Sequence, residues 1–225
     1  MKKLLLISNS TQWGRGYLDH AEEELRSFLG RARRISFVPY ALFDQQGYTA
    51  KARARFATMG YELSAASEGL EAADAIFVGG GNTFRLLKAL QERELVEPIR
   101  RLVSAGMPYL GSSAGSIVAG PSLKTTKDMP IVQPRSFEAL GLVDFQVSPH
   151  YLDPDPSSKH MGETQEERIL QFHEENESPV VGLREGAWIR VDGPSLLLGG
   201  TMGARVFRKG RAPVEKRAGQ ELFPD

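Results

Sequence analysis

The chain contains no cysteine, which excludes disulfides, thiolate metal sites and a cysteine nucleophile together. It has no excess of either charge, since Lys plus Arg and Asp plus Glu both number 28. A protein that tracks nucleic acid or anionic lipid shows a basic surplus, so neither partner is expected. No apolar run approaches the length of a transmembrane helix. The opening Met1-Lys2-Lys3-Leu4-Leu5-Leu6-Ile7 imitates a signal peptide only briefly, because Ser8-Asn9-Ser10-Thr11 ends the run in polar side chains. A longer apolar region and a small-residue cleavage site are both missing. The segment reads as a first buried strand, and a cytoplasmic protein is expected.

What is present is a globular composition. With 225 residues, 41% hydrophobic and 25% charged, the chain suits one α/β domain spanning its whole length. Apolar strands at Leu4–Ile7, Ile35–Val38, Tyr61–Leu63, Ala75–Val78 and Met107–Leu110 alternate with helical stretches at Tyr17–Leu29, Gln46–Met59, Thr83–Leu90 and Leu95–Val103. Strands that are apolar throughout imply a mostly parallel sheet with helices on both faces. In the last quarter Val180–Leu183, Ala187–Val191, Ser195–Leu198 and Ala204–Phe207 are separated by turn residues. That spacing predicts antiparallel strands extending the sheet edge. The polar tail after Lys209 is expected to be poorly ordered or ordered only by docking.

The sharpest chemical signal is Gly111-Ser112-Ser113-Ala114-Gly115, which follows an apolar strand and precedes a short helix predicted from Ser116 to Ala119. This is the strand–turn–helix setting of a G-x-S-x-G nucleophile elbow. Ser112 and Ser116 compete for the role, but only Ser113 has glycines two places away on both sides. The helix that follows aims N–H groups and its positive dipole end at the site, with Ala114 N–H the expected oxyanion donor. Gly/Ser-rich turns between strand and helix also bind phosphate, so the pentapeptide alone leaves both readings open. A second glycine run, Gly79-Gly80-Gly81-Asn82-Thr83, offers Gly81 as the second donor or forms a phosphate nest. It matches neither the Walker pattern nor G-x-G-x-x-G.

A serine nucleophile needs a base. His20 and His173 lie in charged helical segments and are expected at the surface. His150 follows a strand predicted at Phe145–Val147, where side chains reach a site at a strand's carboxyl end. His160 lies in a polar loop and is the rival base or a substrate contact. Asp128 and Glu185 are both candidates for the acid that orients the base, and the residues alone do not rank them.

Taken in order, Ser8-Asn9-Ser10-Thr11, Val78-Gly79-Gly80-Gly81-Asn82-Thr83-Phe84, Gly111-Ser112-Ser113-Ala114-Gly115, Asp128-Met129-Pro130-Ile131-Val132, Pro149-His150, Gly162-Glu163-Thr164 and Glu185-Gly186-Ala187-Trp188 closely resemble peptidase E, the aspartyl dipeptidase family. The resemblance covers nearly the whole chain. It implies a fold related to class I glutamine amidotransferases, with serine where those enzymes carry cysteine. It maps the nucleophile to Ser113, the base to His150 and the acid to Glu185, with Asp128 the alternative. It further implies hydrolysis of dipeptides with an N-terminal aspartate, no metal or cofactor, and a small peptide as partner of a monomer or small homo-oligomer.

One departure bears on specificity. The family pattern Gly-Glu-Thr-Arg reads Gly162-Glu163-Thr164-Gln165 here, and a guanidinium at that place would fork on to a substrate carboxylate. Gln165 keeps hydrogen bonding without the charge, so Arg168, Lys127 and His160 become candidate cations, and Asn82 a further substrate contact. The rival readings are a cyanophycinase-like hydrolase of other aspartyl substrates and a non-catalytic sensor of an acidic small molecule.

Overall fold

A computed structural model describes residues 1–157, 159 and 161–223. The chain runs through β1 (Lys3–Ile7), α1 (Glu22–Leu29), β2 (Arg34–Val38), α2 (Gln45–Thr58), β3 (Glu62–Ala65) and β4 (Ala75–Val78). It continues through α3 (Thr83–Glu92), α4 (Val96–Ser104), β5 (Tyr109–Ser112), α5 (Ala114–Val118), β6 (Gln146–Pro149) and α6 (Gln165–Glu175). Strands β7 (Val180–Leu183), β8 (Ala187–Asp192), β9 (Ser195–Gly200), β10 (Ala204–Phe207) and β11 (Val214–Lys216) complete it. The main sheet has the order β3-β2-β4-β5-β1-β8-β9. Its first five strands are parallel, while β8 and β9 add an antiparallel edge.

Alternation along the strands builds a core on each face. Leu4, Leu6, Ile76, Val78 and Tyr109 face α3, α4 and α5, whereas Leu5, Ile7, Phe37, Phe77 and Leu110 face α1 and α2. All ten side chains are fully buried. This accounts for strands that are apolar at every position. Caps set the helix starts. Asp44 accepts from Gly47 N at the head of α2, Asn82 accepts from Arg85 N at α3, and Thr164 with Glu167 forms a capping box at α6. Each such cap is worth about 1 kcal/mol. Among the described residues no helix is long and apolar enough to cross a membrane.

Four expectations need correction. The stretch Tyr17–Leu29 is not one helix: Leu18 takes a left-handed φ of 60°, a 3-10 turn follows at Asp19–Ala21, and only then does α1 begin. Strands β7 and β10 do not extend the main sheet edge. They form a second sheet of order β11-β10-β7-β6, with β6 and β7 parallel, because α6 carries the chain back over β6 as a crossover. His173 is buried, 4% exposed, with Nε2 3.1 Å from Ser178 O. His20 is half-buried, and its enclosed ring nitrogens have no hydrogen-bond partner among the described residues. The tail after Lys209, by contrast, meets one of its two expected outcomes and is ordered by docking. It forms β11, buries Leu222, and Leu222 N donates to Leu196 O at 2.9 Å.

Candidate active site

The carboxyl ends of β1, β4, β5 and β6 converge on one cleft of about 550 Å³. Ser113, immediately after β5, has φ 51° and ψ −108°, a region that non-glycine residues occupy only when their surroundings over-determine it. Here they do. Ser113 N donates to Ile7 O at 3.0 Å, while Ser113 O accepts from Ser116 N and Ile117 N. The two flanking glycines permit the turn by close approach. A Cβ on Gly111 would stand 2.6 Å from Gly115 O, and one on Gly115 would stand 2.1 Å from Val78 O. The rival serines are wholly buried, and Ser116 Oγ is engaged by Ile7 O at 2.8 Å.

Ser113 Oγ lies 3.0 Å from His150 Nε2, and His150 Nδ1 lies 2.6 Å from Glu185 Oε1. His150 is itself at a positive φ of 52°, and backbone contacts from three segments hold it. Its N–H donates to Ser8 Oγ at 2.9 Å, and Ser8 Oγ donates to Leu183 O at 2.8 Å. Its carbonyl accepts from Lys127 Nζ at 3.0 Å and Gln165 Nε2 at 3.2 Å. The next residue, Asn9, receives Gly186 N at 2.8 Å on its side-chain oxygen and so anchors the turn that carries Glu185. In the sequence Ser8 and Asn9 stand out only as part of a resembling motif. Their task follows from being the first polar residues at the end of a buried strand.

Asp128 sits elsewhere. Its Oδ2 accepts from Thr83 N at 2.7 Å, Thr83 Oγ1 at 2.6 Å and Thr126 Oγ1 at 3.1 Å. It lines the cleft and fastens the start of α3, but makes no hydrogen bond to His150. Asn82 is also occupied: its oxygen caps α3 and its Nδ2 donates to Met129 O at 2.9 Å.

The glycine loop presents one unspent N–H. Gly79 N donates to Val38 O, Gly80 N to the Tyr48 hydroxyl at 3.0 Å and Asn82 N to Ala41 O. Gly81 N and Ala114 N donate to no acceptor among the described residues. Gly81 has φ +133°, and an added Cβ would meet Ala41 O at 2.8 Å, so no other residue fits the loop at this point. Tyr17 OH donates to Tyr48 OH at 3.3 Å. Burial pushes both phenols' pKa up, so they stay neutral and keep the loop in place.

The candidate carboxylate readers are largely committed to structure. Gln165 Oε1 accepts from Lys127 Nζ and Leu152 N, both at 3.1 Å, so this side chain ties α6 to the His150 segment. Lys127 is exposed as a residue, yet its ammonium turns inward on to Pro149 O, His150 O and Gln165 Oε1. Desolvation there draws it down to about 8. Arg168 is over half exposed and faces Glu163 at 3.7 Å. His160 lies outside the described residues. The cleft wall also carries Lys51 on α2, which no sequence motif singles out. It stands among Arg53 and Arg55 in an unremarkable charged helix, and nothing local marks it. Among the described residues no cluster of His, Asp and Glu gathers as metal ligands would.

A strained serine joined to an imidazole and then a carboxylate, at the carboxyl end of a parallel sheet, is the arrangement of an acyl-transferring hydrolase. The family model "Peptidase family S51" matches residues 4–199, and the chain belongs to that family of serine peptidases. It is 55% identical to "Peptidase E" of Streptomyces coelicolor, over 97% of this chain and 93% of that protein. It is 46% identical to a Drosophila melanogaster protein described as "Probable alpha-aspartyl dipeptidase", over 92% of this chain and 90% of the other. The crystal structure of a peptidase from an acI-B1 Actinobacterium superposes with a TM-score of 0.75 at 18% identity. It covers 99% of this chain and 96% of that one, a likeness of fold.

Proposed function

We propose that the chain hydrolyses dipeptides with an N-terminal aspartate through an acyl-enzyme on Ser113. The observation that carries this reading is the continuous contact from Ser113 Oγ to His150 Nε2 and from His150 Nδ1 to Glu185, at 3.0 and 2.6 Å. The family and the names of its relatives supply the substrate class. His150 takes the proton of Ser113 as Oγ attacks the carbonyl of the aspartyl residue. Glu185 accepts Nδ1–H and stabilises the imidazolium that forms. The N–H groups of Gly81 and Ala114 hold the developing oxyanion, each worth about 3 kcal/mol by analogy with a known protease. His150 then gives its proton to the leaving amine. The serine ester is cleaved by water through the same steps in reverse roles.

The same reading carries a small peptide as partner, a cytoplasmic place of action and a monomer or small homo-oligomer. Its test is a panel of Asp-Leu, isoAsp-Leu, Glu-Leu, Asn-Leu and N-acetyl-Asp-Leu. Cleavage of Asp-Leu above all others supports recognition of both the β-carboxylate and the free amine. Failure to cleave Asp-Leu while cleaving another member of the panel would replace the proposed substrate.

A further inference from the structure

We infer that the Lys51 ammonium pairs with the β-carboxylate of the aspartyl residue in the Ser113 cleft, an assignment that rests on the function proposed above. Helix α2 turns one face to the cleft, with Asp44, Gly47, Tyr48 and Lys51 among its lining. These positions follow the helical i, i+3, i+4, i+7 spacing. Lys51 Nζ lies over the Tyr17 ring, 4.8 Å from its centroid. Among the described residues it has neither a hydrogen bond nor an ion pair with a carboxylate. The other cations considered are engaged: Lys127 by three oxygens and Arg168 by Glu163. Gln165, at the place where an arginine was expected, spends both ends of its amide on its own chain. An anion entering the cleft therefore meets Lys51 with its charge unanswered by oxygen.

The position of Lys51 selects which substrate carboxylate it meets. A dipeptide with N-terminal aspartate carries two, one on the acyl residue and one on the leaving residue. The leaving amine must face His150 to be protonated. Lys51 belongs to the part of the cleft linked through the Tyr17 ring, Tyr17 OH and Tyr48 OH to Gly80 N of the glycine loop. That part carries the proposed oxyanion donor Gly81, so it borders the acyl residue. The Tyr17 ring face holds the ammonium in the cleft and leaves its N–H groups free for a carboxylate.

The experiment compares the wild type with Lys51→Met and Lys51→Arg on Asp-Leu, Asn-Leu and Asp-Leu amide. Expected for Lys51→Met is a fall of about 10- to 100-fold in kcat/KM for Asp-Leu and for its amide alike. The preference for Asp-Leu over Asn-Leu should collapse by at least tenfold, and Lys51→Arg should restore part of it. An equal fall on Asp-Leu and Asn-Leu would make Lys51 a support for Tyr17 and overturn the inference. A fall on Asp-Leu that the amide does not share would move the contact to the terminal carboxylate and also overturn it. Calorimetry of L-aspartate binding to the Ser113→Ala enzyme, with and without Lys51→Met, reads the contact without turnover. Binding lost with Lys51→Met supports the pairing, and binding unchanged contradicts it. Absence of Asp-Leu hydrolysis by the wild type would overturn the proposed function and leave this binding result to judge Lys51.

Discussion

At the residue scale, the proposed chemistry depends on a few side chains that hold His150 against Ser113. Glu185 is half exposed at 51%, so water competes for its carboxylate, and orientation of the ring matters more than ion-pair energy. Replacing it with glutamine should lower kcat at least about 100-fold with little change in KM, because the amide favours the wrong tautomer. Asp128→Asn should cost less in kcat, since Asp128 acts through the start of α3 rather than on the imidazole. Steady-state kinetics of both variants on Asp-Leu checks this, and the reverse order would transfer the acid's role. Ser8→Ala removes the acceptor of His150 N–H and leaves a polar backbone group short of a partner. About 1–3 kcal/mol of stability should be lost, read by urea unfolding, together with a drop in kcat.

At the element scale, the start of α5 is set by contact with β4. Gly115→Ala would force a Cβ to within 2.1 Å of Val78 O, which the rigid strand cannot relieve. A destabilisation of about 1–3 kcal/mol is expected, with a loss of activity larger than stability alone explains. The loop before β6 carries a pH signature through Lys127. Its folded-state pKa is about 8 against an ordinary 10.5, so between those values the unfolded chain binds more protons than the folded one. Stability conferred by the group therefore rises with pH across that window. Denaturation midpoints of wild type relative to Lys127→Met should climb from pH 8 to 10, and a flat difference would place the ammonium in water.

How far these elements could be read from sequence follows from what each depends on. The parallel strands were legible because burial on both faces removes the polar alternation, as in Leu4-Leu5-Leu6-Ile7. The elbow was legible because Gly111 and Gly115 are demanded by local crowding. The second sheet was not, since the pairing of β6 with β7 and of β7 with β10 depends on where α6 returns the chain. The burial of His173 is hidden for a related reason: its neighbours Glu174 and Glu175 face water while it turns inward. Lys51 gave no local signal because its significance comes only from sharing a cleft with Ser113.

At the scale of the whole molecule, the tail and the site are mechanically joined. Arg184, next to Glu185, is 13% exposed and grips both Asp153 and Glu215. These paired carboxylates hold its pKa above the ordinary arginine range. Glu215 lies on β11, so the C-terminal segment braces the turn that carries the proposed acid. Ending the chain after Lys209 would remove Glu215 and the buried Leu222. It should cost at least about 2 kcal/mol from the lost apolar burial alone, seen as a lower Tm. A fall in kcat is expected even well below that Tm. An unchanged kcat would show that the brace does not reach Glu185.

The account as a whole rests on Ser113 as nucleophile, and Asp-Leu hydrolysis by Ser113→Ala beside the wild type tests it most directly. The prediction is a loss of about 10⁴-fold or more in kcat with an unfolding midpoint close to that of the wild type. Hydrolysis retained within tenfold by the folded variant would contradict the account and require a nucleophile elsewhere in the cleft.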